Sequence, residues 1–173
     1  PTGNKSFFLS LSIKSSTGDV KIPKEFKFEN IDISESTGNV TNYASASENI
    51  IIKTSTGNIR VENVSAGTLD LSVSTGGITV SNVTCEGNVK IIVSTGKTNL
   101  TNIECKNVMS NGNTGAISLK NVIAAEKFSI ERSTGDVKFD GCDAAEIFVK
   151  TDTGDVTGSL LSNKIFVVEA DTG

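Results

Sequence analysis

The chain has 173 residues, with 16 basic and 20 acidic side chains and a formal net charge of −4. Both signs are scattered along the sequence, so the concentrated basic face that nucleic-acid binding requires is absent. The hydrophobic share is 36%, which is low for a globule but enough for a thin rod, and no apolar run approaches membrane-spanning length.

The dipeptide Thr-Gly recurs along the chain at an almost fixed interval. Its successive glycines are 19 or 20 residues apart, and they are Gly18, Gly38, Gly57, Gly76, Gly96, Gly115, Gly135, Gly154 and Gly173. A fixed period of about 20 residues is typical of a stacked repeat protein in which each repeat is one structural unit. No linker or charge block divides the array, so we expect a single domain over residues 1–173.

Each repeat contains two short segments in which apolar and polar residues alternate. In the repeat of Gly76, the apolar positions are Leu69 and Leu71 before the glycine and Ile78 and Val80 after it. The equivalent positions of the other repeats are mostly apolar and often β-branched, and an alternation of period two predicts strands. The 3.6-residue pattern of a helix is not sustained in any window.

Turn residues separate these segments. The glycine of Ser-Thr-Gly accepts a positive φ angle. A second corner follows six residues later, where four successive repeats have Asn63, Asn82, Asn102 and Asn121. Stacked asparagine amides can form a hydrogen-bonded ladder. The pattern predicts an all-β fold, a single-stranded right-handed parallel β-helix (β-solenoid) with 19–20-residue coils and a length of roughly 40 Å.

Several polar or reactive side chains are expected inside this rod. Thr98 and Ser110 are hydroxyl residues at inward positions, and we expect them to face each other or to share a water, because a lone buried hydroxyl is costly. Cys85 and Cys105 occupy the same slot in adjacent coils, which leaves a disulfide open, although two core thiols are the simpler interpretation. Cys142 is also expected to be buried.

The chain offers little material for a catalytic or metal site. It contains no histidine, which excludes histidine-based triads and the most frequent zinc ligand. Four aspartates cluster near the C-terminal end of the Thr-Gly corner, namely Asp136, Asp155, Asp152 and Asp171. They are a weak candidate for Ca²⁺, but aspartate also suits such turn positions as a solvated residue. We expect no catalytic residue, no cofactor and no metal requirement for folding.

A polysaccharide-processing enzyme, a lyase or hydrolase built on a β-helix, is the alternative from a different functional class. Such enzymes form a cleft from long loops, and spacings that stay at 19 or 20 residues leave no room for these loops. A carbohydrate-binding platform is also disfavoured, because the chain has no tryptophan and its one tyrosine is Tyr43.

The outward residues of the first segment are less polar than those of the second. Apolar side chains that cluster on one exposed face can mark a contact surface. The candidates for a partner contact are Ile51, Ile92, Met109, Phe148 and Val167. Of these, Phe148 and Val167 are expected to stack directly, one coil apart.

The repeated motif resembles that of a known bacterial family. Its segments Ser-Thr-Gly-Asp/Asn-Val/Ile, found at Ser16–Val20, Ser55–Ile59 and Ser133–Val137, are similar to those of adhesin-named β-solenoid domains of unknown function. The resemblance spans nearly the whole chain from Leu11 onwards. It implies a β-solenoid on a secreted or cell-envelope-associated bacterial protein, and it supplies no catalytic residues.

We therefore expect a non-catalytic, extracytoplasmic binding or spacer module that contacts an unknown protein or cell-surface partner on one face of the rod. The chain starts at Pro1 without Met and reads as a fragment of a longer polypeptide. Phe7 or Phe8 could cover the first coil, but nothing comparable follows Val168. Because an open strand edge invites pairing, the last coil is expected to be covered by further residues or by end-to-end self-association.

Overall fold

The computed structural model describes the backbone of residues 7–162 and 165–172, and the side chains of residues 10–162 and 165–172. Within these ranges the regular structure is entirely β-strand. The strands are β1 (Phe7–Thr17), β2 (Val20–Ile22), β3 (Lys27–Thr37), β4 (Val40–Asn42), β5 (Ser45–Thr56), β6 (Ile59–Thr75), β7 (Ile78–Cys85), β8 (Asn88–Thr95), β9 (Thr98–Thr114), β10 (Ile117–Thr134), β11 (Val137–Cys142), β12 (Glu146–Thr153), β13 (Val156–Leu160) and β14 (Ile165–Thr172).

The strands stack in parallel, each on the strand one coil later. Ile50 pairs with Leu69, and Leu69 pairs with Val89, so the register advances by one repeat at each step. The same step joins β1 to β3 at one end and β12 to β14 at the other. The chain is therefore a parallel β-solenoid of about eight turns with coils of about 19 residues, as its Thr-Gly period predicts. The right-handed winding stays a prediction.

The Thr-Gly corner requires glycine for two physical reasons. Gly76 has a φ of +140°, and a Cβ atom at this position would lie 1.8 Å from the carbonyl oxygen of Gly57 in the coil before it. The N–H of Gly57 donates to the carbonyl of Thr75 at 3.0 Å, which ties the two coils together. The prediction that Gly57 and Gly76 share one corner is confirmed, while Gly173 lies outside the described residues.

The second corner is formed by the predicted asparagines. All four have left-handed backbone angles, with φ between 52° and 56°. The Nδ2 of Asn82 donates to Oδ1 of Asn63 at 3.0 Å, and equivalent bonds of 3.0 and 3.1 Å continue through Asn102 to Asn121. The predicted amide ladder is therefore present, and it runs along the outside of the rod.

The apolar core runs along the inside of the rod as several stacked columns, and one of these columns was not revealed by the sequence pattern. Three residues before each glycine, the side chain also points inward, and Val73 and Val93 fill this position at 1% and 0% exposure. In the next two coils the paired residues Gly112 and Arg132 occupy the same column. The solenoid therefore contains an inward-facing cation in a position where two coils have valine and three others have the buried polar residues Glu35, Thr54 and Thr151.

The described core ends in a coil that is only half covered. Phe166 and Val168 continue the inward columns but are 40% and 39% exposed, because no further coil lies over β14 in the described residues. The Phe166 ring packs edge-on against Phe139, with 6.2 Å between centroids. The expectation that Phe7 or Phe8 covers the first coil lies outside the described side chains.

Candidate functional sites

The five apolar residues predicted to form a contact surface lie on the outer side of the first strand of their coils, but in two columns. Ile51, Met109, Phe148 and Val167 share the column six residues before the glycine, through the pairings of their strands. Ile92 lies two residues further along its strand, in the neighbouring outward column. The structure therefore does not bring the five together as one patch.

Three of these residues are isolated among polar neighbours. Ile51 is flanked in its column by Asp32 and Asp70. Met109 and Ile92 likewise pair with polar residues or charged residues on the strands beside them. Single apolar side chains of this kind are normal on protein surfaces, so a contact role for these three positions stays a prediction.

Phe148 and Val167 are the pair that the structure does bring together. They are directly paired between β12 and β14, and Val167 is 45% exposed while Phe148 is half-buried. Lys127 places its Nζ 5.8 Å from the centroid of the Phe148 ring, which is within the range of a cation–π contact. We call the side chains of Phe148 and Val167 the Phe148 patch. Their predicted stacking is confirmed.

The four candidate Ca²⁺ ligands are exposed, and Asp136 and Asp155 lie in Thr-Gly turns while Asp152 and Asp171 lie near the ends of β12 and β14. Asp136 uses its Oδ1 to accept the backbone N–H of Asp155 at 2.9 Å. Asp19 accepts the N–H of Asn39 in the same way at the other end of the rod, also at 2.9 Å. This shared bond gives the carboxylates a role in connecting adjacent turns. Among residues 7–162 and 165–172, no three His, Cys, Asp or Glu side chains form a group that could hold a metal ion.

Among the surface depressions of the described residues, two lie at different corners of the rod. A groove of about 540 Å³ runs beside the asparagine ladder and has Glu104 as its acidic residue. A more polar cleft of about 330 Å³ lies near the Thr-Gly corner, and its lining includes Glu131, Lys150, Asp152 and the inward-facing Arg132. The second cleft is therefore the place where several ionisable side chains meet.

The interior polar residues are arranged differently from the predicted pair. Nη2 of Arg132 donates to Oγ1 of Thr98 at 3.1 Å, and Nη1 donates to the carbonyl of Val93 at 3.3 Å. Oγ of Ser110 is buried and has no hydrogen-bond partner within the described part of the chain. The predicted direct pairing of Thr98 with Ser110 is therefore wrong, because the long side chain of Arg132 reaches Thr98 instead. Burial lowers the pKa of Arg132 from its ordinary value.

One family of known domains matches the chain. The family described as Toastrack DUF4097 matches residues 2–92 and, a second time, residues 86–171. The chain belongs to this family. The two matches span nearly all of the solenoid, which agrees with a β-solenoid family of unknown function. No curated protein and no solved structure matches the chain.

The cysteines of this Toastrack domain are free core thiols, as the simpler interpretation predicted. Cys85, Cys105 and Cys142 are all buried and unbridged. Sγ of Cys85 lies 3.4 Å from the carbonyl oxygen of Gly67, and burial raises the pKa of Cys105 to about 12. Thiols of this kind are poorly reactive, because the thiolate is the nucleophilic form.

None of the described residues belongs to a helix able to span a membrane.

Sequence reasoning missed the Arg132 position in this Toastrack domain, although two signals pointed to it. Arg132 stands in a column that holds valine in the coils of Val73 and Val93. Gly112 stands in the same column one coil earlier, and it belongs to no Thr-Gly turn. A glycine in one coil and a long cation at the same position of the next coil indicate that the cation fills the space of both side chains.

Proposed function

We propose that this Toastrack domain is a non-catalytic binding or spacer module of the cell envelope that contacts another protein through the Phe148 patch. The observation that carries the proposal is the direct stacking of Phe148 and Val167 on the outer side of the rod. Two adjacent apolar side chains in water are unfavourable, and a partner that covers them gains from removing that surface from solvent.

The surroundings of the Phe148 patch support a protein partner of a definite chemistry. Lys127 lies over the Phe148 ring, and Lys150 lies 4.0 Å from Glu169 on the adjoining outward column. Charged groups at the rim of an apolar contact orient the partner more than they add to affinity. We therefore expect a protein surface that presents an apolar side chain between groups of both charges.

The envelope location rests on a different argument. The Ser-Thr-Gly motif resembles that of bacterial adhesin-named domains, which implies a secreted or envelope-associated protein and an adhesin-like role. Fractionation of the cells that express the full protein tests this part of the proposal. Recovery with the membrane or outside the cell is expected, whereas recovery in the cytoplasm contradicts it.

Site-specific photocrosslinking in the same cells tests the contact. A photoreactive amino acid at Phe148 or at Val167 is expected to yield the same discrete protein adduct. The matched control is Asn99, which is exposed on the second strand of its coil and away from the patch. Adducts that occur equally from Asn99, or that are absent from both patch positions, overturn the proposed contact.

The uncovered last coil supports an end contact in a spacer role. β14 pairs only with β12 among the described strands, and Val168 is 39% exposed although it continues a core column. An open parallel edge over an apolar column favours pairing with a further strand. Val168→Lys is expected to lower any self-association seen by light scattering without unfolding the first coils. A strict monomer before the substitution contradicts self-association.

A polysaccharide lyase or hydrolase is the second candidate because one cleft holds two carboxylates. Glu131 and Asp152 both line the polar cleft of about 330 Å³, and paired carboxylates are the usual machinery of glycoside hydrolysis. Incubation with a panel of acidic and neutral polysaccharides, followed by a reducing-end assay, is expected to give no product. Product that disappears in Glu131→Gln and in Asp152→Asn would replace the binding-module proposal with an enzyme.

A further inference from the structure

The core of the solenoid holds a positive charge that no carboxylate neutralises. Arg132 is 2% exposed, and none of the ion pairs among the described residues involves it. Its guanidinium is held by two uncharged acceptors, the carbonyl of Val93 and the hydroxyl of Thr98. A buried cation without a countercharge is strongly disfavoured, and such groups are normally paired.

The space for this cation is built into the backbone of the preceding coil. Gly112 pairs with Arg132, and a Cβ atom on Gly112 would lie 1.8 Å from Nη1 of Arg132 and 2.3 Å from the carbonyl oxygen of Val93. The arginine side chain therefore crosses the coil of Gly112 to reach the coil of Val93. Any side chain at position 112 would close this path.

Two hydrogen-bond donors in this region have no acceptor among the described residues. Nε of Arg132 and Oγ of Ser110 are both buried without a partner within residues 7–162 and 165–172. Ser110 is 0% exposed and lies two residues before Gly112, on the strand that pairs with the strand of Arg132. The hydroxyl of Thr98, which accepts from Arg132, still carries a proton that it can donate. The region thus combines a positive charge with spare donors.

We propose that Arg132, Ser110 and Thr98 bind a small monovalent anion of the chloride class inside the solenoid. An anion there supplies the missing acceptor for Nε and for the serine hydroxyl, and it neutralises the guanidinium. We call these three side chains the Arg132 cluster. Charge-assisted bonds from donors to a halide are stronger than bonds between neutral groups, which favours an anion over a water molecule.

The solvent-facing side of Gly112 and Arg132 forms the outer wall of the cluster, and its charges indicate which anions fit. The polar cleft of about 330 Å³ lies on this wall, and Gly112 and Arg132 both contribute to its lining. Glu131 and Asp152 line the same cleft and repel multivalent anions, while Lys150 offsets part of this repulsion. A small monovalent anion can therefore pass this wall more readily than a phosphate or a sulfate ion.

Anomalous diffraction from crystals grown or soaked in bromide tests the site directly. The expected result is a bromide peak inside the core, within about 3.5 Å of Arg132 Nε and Ser110 Oγ. An ordered water at that position without anomalous signal overturns the proposal. Peaks confined to surface lysines, which show an adventitious ion only, overturn it as well.

Thermal unfolding in chloride provides a second, independent test in solution. Raising chloride from about 5 to about 500 mM, at an ionic strength kept constant with methanesulfonate, is expected to raise Tm by about 5 °C. Arg132→Met should abolish the rise. The matched control is Arg60→Met, which removes the same charge from an arginine whose side chain is 56% exposed, and it should keep the full rise. An equal rise in all three proteins shows a general salt effect and overturns the proposal.

A milder variant keeps the solution test decisive if Arg132→Met does not fold. Ser110→Ala removes one donor from the cluster and leaves the guanidinium in place, so the chloride-dependent rise in Tm should fall by at least half. Val73 occupies the same inward column one coil before Val93 and is also buried, and Val73→Ala should lower Tm at every chloride concentration without changing the rise. A rise that is unchanged in Ser110→Ala contradicts the assignment.

Discussion

β12 and β14 carry the same inward pattern one coil apart, yet only one of them is covered. Val149 in β12 is 0% exposed, whereas Val168, its direct partner in β14, is 39% exposed. Ile147 and Phe166 show the same difference, at 1% and 40%. Sequence pattern therefore decides which side chains point inward, but the next coil decides whether they are buried.

This difference is general for a rod in which each coil contacts only its neighbours. The free energy of such a protein is approximately a sum of the stability of each coil and of its contacts with the coils above and below. The same substitution should then have different effects in a covered coil and in an end coil. Pairs of matched variants along one column can measure this directly.

The largest contrast is expected at the Thr-Gly corner. Gly76→Ala places a Cβ atom 1.8 Å from the Gly57 carbonyl, whereas the same change at Gly18 meets nothing within 4 Å. Both glycines have positive φ, at +140° and +123°, so both variants carry backbone strain. We expect Gly76→Ala to lower the free energy of unfolding by about 4 kcal/mol or more, and Gly18→Ala by about 1–2 kcal/mol.

Urea unfolding followed by circular dichroism measures both variants. Equal losses would show that the φ angle alone sets the requirement for glycine, and that the stacked carbonyl adds nothing. A Gly76→Ala protein as stable as the wild type would contradict the geometry of the corner itself.

The corner was predictable from sequence because its cause recurs in each coil that stacks on a preceding one. The close approach of stacked backbones excludes a Cβ atom at Gly57 and again at Gly76, so the period is visible without a structure. The inward columns follow from the alternation of the strands between two corners. The inward position of Arg132 does not follow from the period, because the residue three before the glycine differs in chemistry from coil to coil.

The second contrast lies in the core column of β12 and β14. Val149→Ala is expected to lower the free energy of unfolding by about 2 kcal/mol, since it removes two buried methyl groups and leaves a cavity. Val168→Ala removes the same atoms from a side chain that is 39% exposed, and it should cost about 1 kcal/mol or less. A loss at Val168 as large as that at Val149 would indicate that β14 is covered in solution.

The contact surface was predicted less well than the core, because nothing requires the outward residues of successive coils to be alike. Most inward residues face the same apolar core, whereas each outward residue faces water and its own neighbours. Phe148 and Val167 were correctly expected to stack, since their spacing is one coil. Ile92 lies apart from them because a strand face contains two outward columns, whereas Ile51 shares their column but pairs there with Asp32 and Asp70.

A smaller contrast is expected along the asparagine ladder. Asn102 donates to Asn82 and accepts from Asn121, whereas Asn63 at the ladder's end only accepts. Substitution by glycine preserves the positive φ, as Gly141 does in a later coil at 63°. We therefore expect Asn102→Gly to lower the free energy of unfolding by about 1 kcal/mol and Asn63→Gly by about half as much. The urea midpoints check this, and a reversed order would show that the amides do not act as a ladder.

An effect of similar size concerns the ionisation of a thiol in a covered coil. Burial raises the pKa of Cys105 from 9.0 to about 12, so the folded state keeps the proton in a range where the unfolded state releases it. The contribution of Cys105 to the free energy of unfolding is therefore fully present below pH 9 and is lost as the pH rises towards 12. The contribution of this group should fall by about 1 kcal/mol between pH 8 and pH 10. Cys105→Ala, which places in this slot the residue that Ala124 supplies in the next coil, should flatten that part of the pH profile. A profile that is identical in the variant would show that the thiol is not shielded by its neighbouring coils.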